Sequence, residues 1–131
     1  MKPLNASPRT ISFIVPAHNE EALLGATLEA LSASARGLGE PHEIIVVDDA
    51  STDRTARIAA ERGARVIYVN LRKIAAVRNA GAQAASGDYL FFVDADTVVG
   101  LDTLQAPVQL CEGLGSTLWV AAFTSAIICG A

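Results

Sequence analysis

Apolar and polar positions alternate in blocks along this chain. Ile11 to Val15 is a short β-branched run closed by Pro16, the pattern of a buried strand. Asn19 then offers a helix cap, with Glu20 and Glu21 favourable in the first turn. Leu24, Leu28 and Leu31 follow at i, i+4, i+7, one apolar helical face, and Gly37, Gly39 and Pro41 close that element. Ile44 to Val47 is a second buried strand, ended by Asp48-Asp49. Ser51 or Thr52 can cap a second helix running to Gly63, a natural residue after a helix end. Arg65 to Val69 reads as a third strand. A helix from Ile74 to about Ala85 carries Ile74, Val77, Gly81 and Ala84 on one side, and Gly81 lets it lie close to a sheet. Tyr89 to Val93 is a fourth strand, ended by Asp94-Ala95-Asp96.

Strand and helix in strict alternation predict an open parallel sheet with helices on its faces, an α/β class. Right-handed crossovers leave few windings. Three stretches emerge: a polar tail over 1–10, the alternating block over 11–99, and 100–131. In the last, Asp102 with Gln105 can open a helix that Pro107 interrupts, and the pattern loses its period beyond Glu112. The 14 residues from Leu118 to Ala131 are almost wholly apolar. They are too few to cross a bilayer, which takes roughly 20 residues, and read as a buried strand or helix.

Composition changes this picture little. Half of the 131 residues are apolar and 18% are charged, a globular balance. The net charge of −4 comes with no basic stripe, so nothing electrostatic recruits nucleic acid. Cys111 and Cys129 form no CxxC pair and are expected to be free thiols. No apolar leader opens the chain, which suggests the cytoplasm.

The candidate chemistry lies where the strands end. Ligands of parallel sheets bind at the carboxyl edge. There the chain places Pro16-Ala17-His18-Asn19-Glu20, then Asp48-Asp49-Ala50-Ser51, then Asp94-Ala95-Asp96-Thr97. Carboxylates gathered on one rim repel one another, and a hard divalent cation, Mg²⁺ or Mn²⁺, is the simplest reason to gather them. Such ions often complete their shell with substrate phosphates. No Walker-type glycine loop is present, so metal and the cations Arg78, Lys73 or Arg72 would hold phosphate. His18 is open between packing on a base and simple solvation. Asp53 and Asp102 read as helix caps, and Asp49 reads as a loop brace.

These segments resemble glycosyltransferase family 2. Ser12 to Glu21 resembles its opening strand and P-x-x-N-E turn, and Glu43 to Thr55 its V-V-D-D-[GA]-S-x-D-x-T stretch. Arg78-Asn79-Ala80-Gly81 with Ala85-Ser86-Gly87-Asp88 resembles its R-N-x-G…A-x-G-D helix, and Leu90 to Asp96 the strand with its D-x-D motif. The resemblance implies a GT-A fold, Rossmann-like, with strand order 3-2-1-4. It implies a UDP- or GDP-linked sugar donor. Pro16 and Ala17 would pass beside the nucleoside, and Glu20 and Asp48 would meet base or ribose. Arg78 would lie near base or phosphate, Asp94 would contact ribose, and Asp96 would hold the metal on the diphosphate. The complete enzyme would transfer sugar with inversion to a saccharide or lipid acceptor hydroxyl, at the cytoplasmic face of the cell envelope.

The family's catalytic base lies well downstream of D-x-D, and only Asp102 and Glu112 follow Asp96 as acids. The catalytic residue is thus unassigned, and the stretch reads as a donor-binding half whose apolar face would self-associate. Two other classes stay open. Asp94 to Val99 also satisfies the D-x-D-x-[TV]-[LV] pattern of haloacid-dehalogenase phosphatases, with Asp94 as nucleophile and Asp96 as acid/base. A donor-binding or inactive fragment is the other.

Overall fold

The computed structural model describes residues 10–39, 41–87 and 89–95 with their side chains, and the backbone of 119–122 and 125–129. The elements run β1 (Ile11–Ala17), α1 (Leu24–Leu38), β2 (His42–Asp49), α2 (Thr55–Glu61), β3 (Arg65–Val69), α3 (Ile74–Ala84), β4 (Tyr89–Val93), β5 (Trp119–Ala122) and β6 (Ser125–Cys129). They form one sheet in the order β3-β2-β1-β4-β6-β5. The first four strands are parallel, in the 3-2-1-4 order expected. The apolar tail supplies two strands, not a helix: β6 runs antiparallel to β4, and β5 runs antiparallel to β6. The predicted helix over Asp102 to Pro107, and Cys111, fall outside the described residues. No helix of the described residues is long and apolar enough to cross a membrane.

Strand alternation sorts the core into two layers. Phe13, Val15, Val46, Phe91 and Val93 pack with Leu24, Leu28 and Leu31 of α1 and Ala59 of α2. Ile14, Ile45, Val47 and Phe92 point the other way and pack with Val77 of α3. Gly81 is what lets α3 sit so close. A Cβ there would overlap Ile14 Cγ2 and come within 2.9 Å of Val47 Cγ2.

β1 continues through Pro16, which the sequence pattern took as its end. Pro16 pairs in register with Val47 of β2, whereas the ladder to β4 stops at Ile14. A residue without an N–H is tolerated where one neighbour has already dropped away. The helix starts also differ from expectation. Asn19 caps nothing; it sits in the left-handed region at φ 51, and α1 begins five residues later. α2 begins at Thr55 rather than at Ser51 or Thr52, with the Thr55 N–H bonded to Asp53 Oδ1 at 3.0 Å. The left-handed Gly39 and Gly63 close α1 and α2.

Candidate functional site

The loops after β1 and β2 are tied to each other by short side chains. Asn19 N–H donates to Ser51 Oγ at 2.9 Å, and Thr52 N–H donates to Asn19 Oδ1 at 2.8 Å. Glu20 N–H donates to the buried Thr55 Oγ1 at 2.9 Å, and Glu21 N–H to Asp53 Oδ2 at 3.3 Å. The Thr55 hydroxyl donates in turn to Asp53 Oδ1. Burial works to raise the Asp53 carboxyl. The Thr55 hydroxyl and N–H, the Glu21 N–H and its own N–H outweigh that and hold it below the usual 3.8. Much of the asparagine, serine, threonine and aspartate content of the two turns therefore builds a clasp and does not face a ligand.

The clasp holds open a cavity of about 370 Å³ at the carboxyl edge of the sheet. Ligand pockets start near this size, roughly 300 Å³. Pro16, Ala17, His18 and Glu20 line it from the β1 loop. Asp94 and Ala95 come from the end of β4, and Asp49 from β2. Arg72, Lys73, Ile74 and Val77 come from the start of α3. Four of the sequence candidates, Pro16, Ala17, Glu20 and Asp94, thus meet in one place.

Arg78 stands behind the wall. Its Nη2 lies 3.5 Å from Asp94 Oδ1, and its Nε is buried with no hydrogen-bond partner among the described residues. The pair is about one-third exposed on each side, so it stabilises the fold by no more than about 1 kcal/mol. Asp94 offers hard oxygen, the donor type that Mg²⁺ and Mn²⁺ prefer. No group of three potential ligands occurs among the described residues, and Mg²⁺ in general completes its shell with waters and substrate phosphates. Asp96 falls outside the described residues.

The two adjacent aspartates of β2 part company. Alternation puts Asp48 on the side of α1 and α2, where its Oδ1 accepts the Ser51 N–H at 3.1 Å. Asp49 turns to the α3 side and lines the cavity. Its carboxylate accepts the N–H groups of Leu71 at 2.8 Å and Arg72 at 3.1 Å, bracing the loop before α3. Sequence reasoning put Arg72 and Lys73 only among several possible phosphate ligands and counted Ile74 with the buried face of α3. All three line the cavity, and Ile74 is 57% exposed.

An open, mostly parallel sheet with helices on both faces and a polar cavity at its carboxyl edge is the architecture of a nucleotide-binding α/β protein. The family model for glycosyl transferase family 2 matches residues 12–127, and the chain belongs to that family. This decides against the phosphatase pattern for Asp94 to Val99. The undecaprenyl-phosphate 4-deoxy-4-formamido-L-arabinose transferase of Pectobacterium carotovorum is 36% identical over 95 residues, 67% of this chain and 29% of that one. The validoxylamine A glucosyltransferase of Streptomyces hygroscopicus is 34% identical over 109 residues, 79% of this chain and 26% of that one.

Among solved structures, glucosyl-3-phosphoglycerate synthase from Mycobacterium tuberculosis with Mn²⁺ and UDP-glucose is similar at a TM-score of 0.58 and 35% identity. The match covers 67% of this chain and 33% of that one. Mannosyl-3-phosphoglycerate synthase from Rubrobacter xylanophilus is similar at 0.63 and 25% identity, covering 70% and 32%. The fold is that of the GT-A glycosyltransferases. This chain spans about a third or less of the length of these relatives.

Proposed function

We propose that the cavity binds a nucleoside-diphosphate sugar, UDP- or GDP-linked, together with Mn²⁺ or Mg²⁺. In this reading the complete enzyme transfers the sugar with inversion to an acceptor hydroxyl of a saccharide or lipid. The observation that carries it is the meeting of Pro16, Ala17 and Glu20 with Asp94 around one open cavity at the carboxyl edge. The relative crystallised with Mn²⁺ and UDP-glucose supports the donor class. Relatives named for undecaprenyl phosphate support a lipid acceptor. In this reading the enzyme works at the cytoplasmic face of the membrane.

In this reading each part has a role. The backbone of Pro16 and Ala17 forms the floor on which a nucleoside would lie. Glu20 and Asp94 accept hydrogen bonds from base or ribose hydroxyls, because an ionised carboxylate only accepts. Arg78 keeps Asp94 turned to the cavity and adds positive charge near the phosphates. Asp48 acts on the nucleotide only through the Ser51 turn that it fixes. Asp96, with Asp94 two residues before it, would hold the divalent cation. When bound, that cation supplies Lewis acidity to the leaving diphosphate.

Thermal shift of the chain with UDP and GDP, each with and without Mn²⁺, tests the reading. We expect metal-dependent stabilisation by one nucleotide, lost in Asp94→Ala and in Asp96→Ala. A folded chain that neither nucleotide stabilises would overturn it.

A further inference from the structure

Arg72 occupies a backbone conformation that arginine rarely adopts. Its φ is 55, in the left-handed region, and its N–H is fixed there by the Asp49 carboxylate. Glycine would sit there with less strain. Strained residues persist where their surroundings over-determine them, and they cluster at ligand clamps. The side chain gives the reason for looking further. Ion pairs among the described residues involve Arg54, Arg57, Arg62 and Arg78, and neither Arg72 nor Lys73 takes part in one. Both line the cavity.

The guanidinium rests on a neighbour that carries no opposite charge. His18 Nδ1 lies 2.6 Å from the Asp49 carbonyl oxygen. A carbonyl only accepts, so Nδ1 is the donor in that contact. Arg72 Nη1 lies against this ring, 2.7 Å from Nε2 and 2.9 Å from Nδ1, and so is not in line with either nitrogen's lone pair. Asp49 thus fixes both partners, the histidine by its carbonyl and the arginine by its carboxylate. Contact with a histidine ring satisfies arginine less well than an anionic oxygen does, and arginine matches phosphate with two parallel donors. A phosphate entering the cavity would outcompete the ring.

We propose that Arg72, parked on His18, is a phosphate clamp of this cavity, with Lys73 beside it as a second cation. The proposal rests on the donor-site reading for which phosphate it takes. That phosphate belongs either to the donor's diphosphate or to a phosphorylated acceptor, and the chemistry of capture is the same.

The test uses the chain labelled with ¹⁵N at histidine and titrated with inorganic pyrophosphate, with His18→Asn assigning the signals. The His18 Nε2 resonance is expected to move as Arg72 leaves it. Arg72→Gly, which also relieves the backbone, is expected to weaken pyrophosphate binding roughly tenfold or more and to abolish the His18 response. Uridine, UMP and UDP form the donor arm. Loss of UDP affinity with uridine unchanged assigns the donor phosphates. Loss confined to phosphoglyceric acid, added with saturating UDP, assigns the acceptor phosphate. The proposal falls if pyrophosphate does not bind, if His18 stays still at saturation, or if Arg72→Gly binds as tightly as the parent. Pyrophosphate capture by Arg72 in a chain that binds neither UDP nor GDP would sink the donor reading and leave the clamp standing.

Discussion

The two ends of the sheet each carry polar side chains around a cavity, and they use them in opposite ways. At the amino end a cavity of about 330 Å³ is lined by Ser32, His42, Glu43, Arg62 and Arg65, among others. Its charges are engaged. Arg62 pairs with Glu29 at 3.1 Å, and Arg65 Nη1 donates to the Ala84 carbonyl at 3.1 Å. Glu43 Oε2 accepts the buried Ser12 hydroxyl at 2.5 Å and the N–H and hydroxyl of Ser86 at 2.7 and 2.9 Å. At the carboxyl end Asp94 has one distant arginine, and the side chains of Arg72 and Lys73 form no ion pair among the described residues. Polar groups bonded to one another hold a fold together. Polar groups left facing a cavity are available to a ligand. Size does not separate the two ends; engaged hydrogen bonds do.

Four changes would break or sharpen this contrast. The largest effect is expected from Gly87→Ala at the amino end. Gly87 N–H donates to Ser12 Oγ at 2.8 Å, and a Cβ there would lie 2.5 Å from that oxygen and 2.8 Å from both Ser12 N and Thr10 O. Backbone on two sides cannot yield, so about 3 kcal/mol of stability should be lost in urea unfolding. Nucleotide affinity of the folded protein should not change.

Asp94→Ala should do the reverse. It should remove about 2 kcal/mol of nucleotide binding, roughly thirtyfold by calorimetry, while unfolding shifts by less than about 1 kcal/mol. Equal losses in both measurements would erase the distinction between the two ends.

Thr55→Val tests the clasp that ties the β1 and β2 loops together at the carboxyl end. It strips the acceptor from Glu20 N–H and should destabilise the fold by about 1 kcal/mol, with a smaller loss of nucleotide affinity as the β1 loop loosens. The smallest effect concerns acid. Burial works to raise the Glu43 carboxyl, but the hydrogen bonds from Ser12 and Ser86 and the charge of Arg65 hold it below its ordinary 4.5. A carboxyl held low in the folded state stabilises it above the ordinary value, and that contribution is lost as pH falls through the folded value. Unfolding measured from pH 6 down to about pH 3 should therefore show a loss that begins near 4.5, and Glu43→Gln should flatten it.

The motifs were legible because each asks for particular residues in a fixed local order. Pro16 to Glu20, Asp48 to Thr55 and Asp94-Ala95 stood out, and strand alternation brought them to one edge. Their inner division of labour was not legible. Asn19 looks like a cap in any local window, yet its side chain serves Thr52, 33 residues away. Ser12 and Glu43 look like ordinary strand residues, and only Ser86 across the sheet end shows what they do. Arg72 and Lys73 look like solvated charges until the cavity beside them is seen.

Periodicity and turn chemistry are local, so the chain alone determined the parallel sheet, the positions of three helices and the family to which it belongs. Which of two adjacent aspartates faces the cavity depends on which side of the sheet receives α3. That is set by crossover handedness and by the close packing that Gly81 allows against Ile14 and Val47. The contacts that turn Asp49 toward Arg72, and Arg72 toward His18, join residues 23 to 54 positions apart in the chain. Only tertiary packing could decide them, because a hydrogen bond between distant residues leaves no period in the sequence.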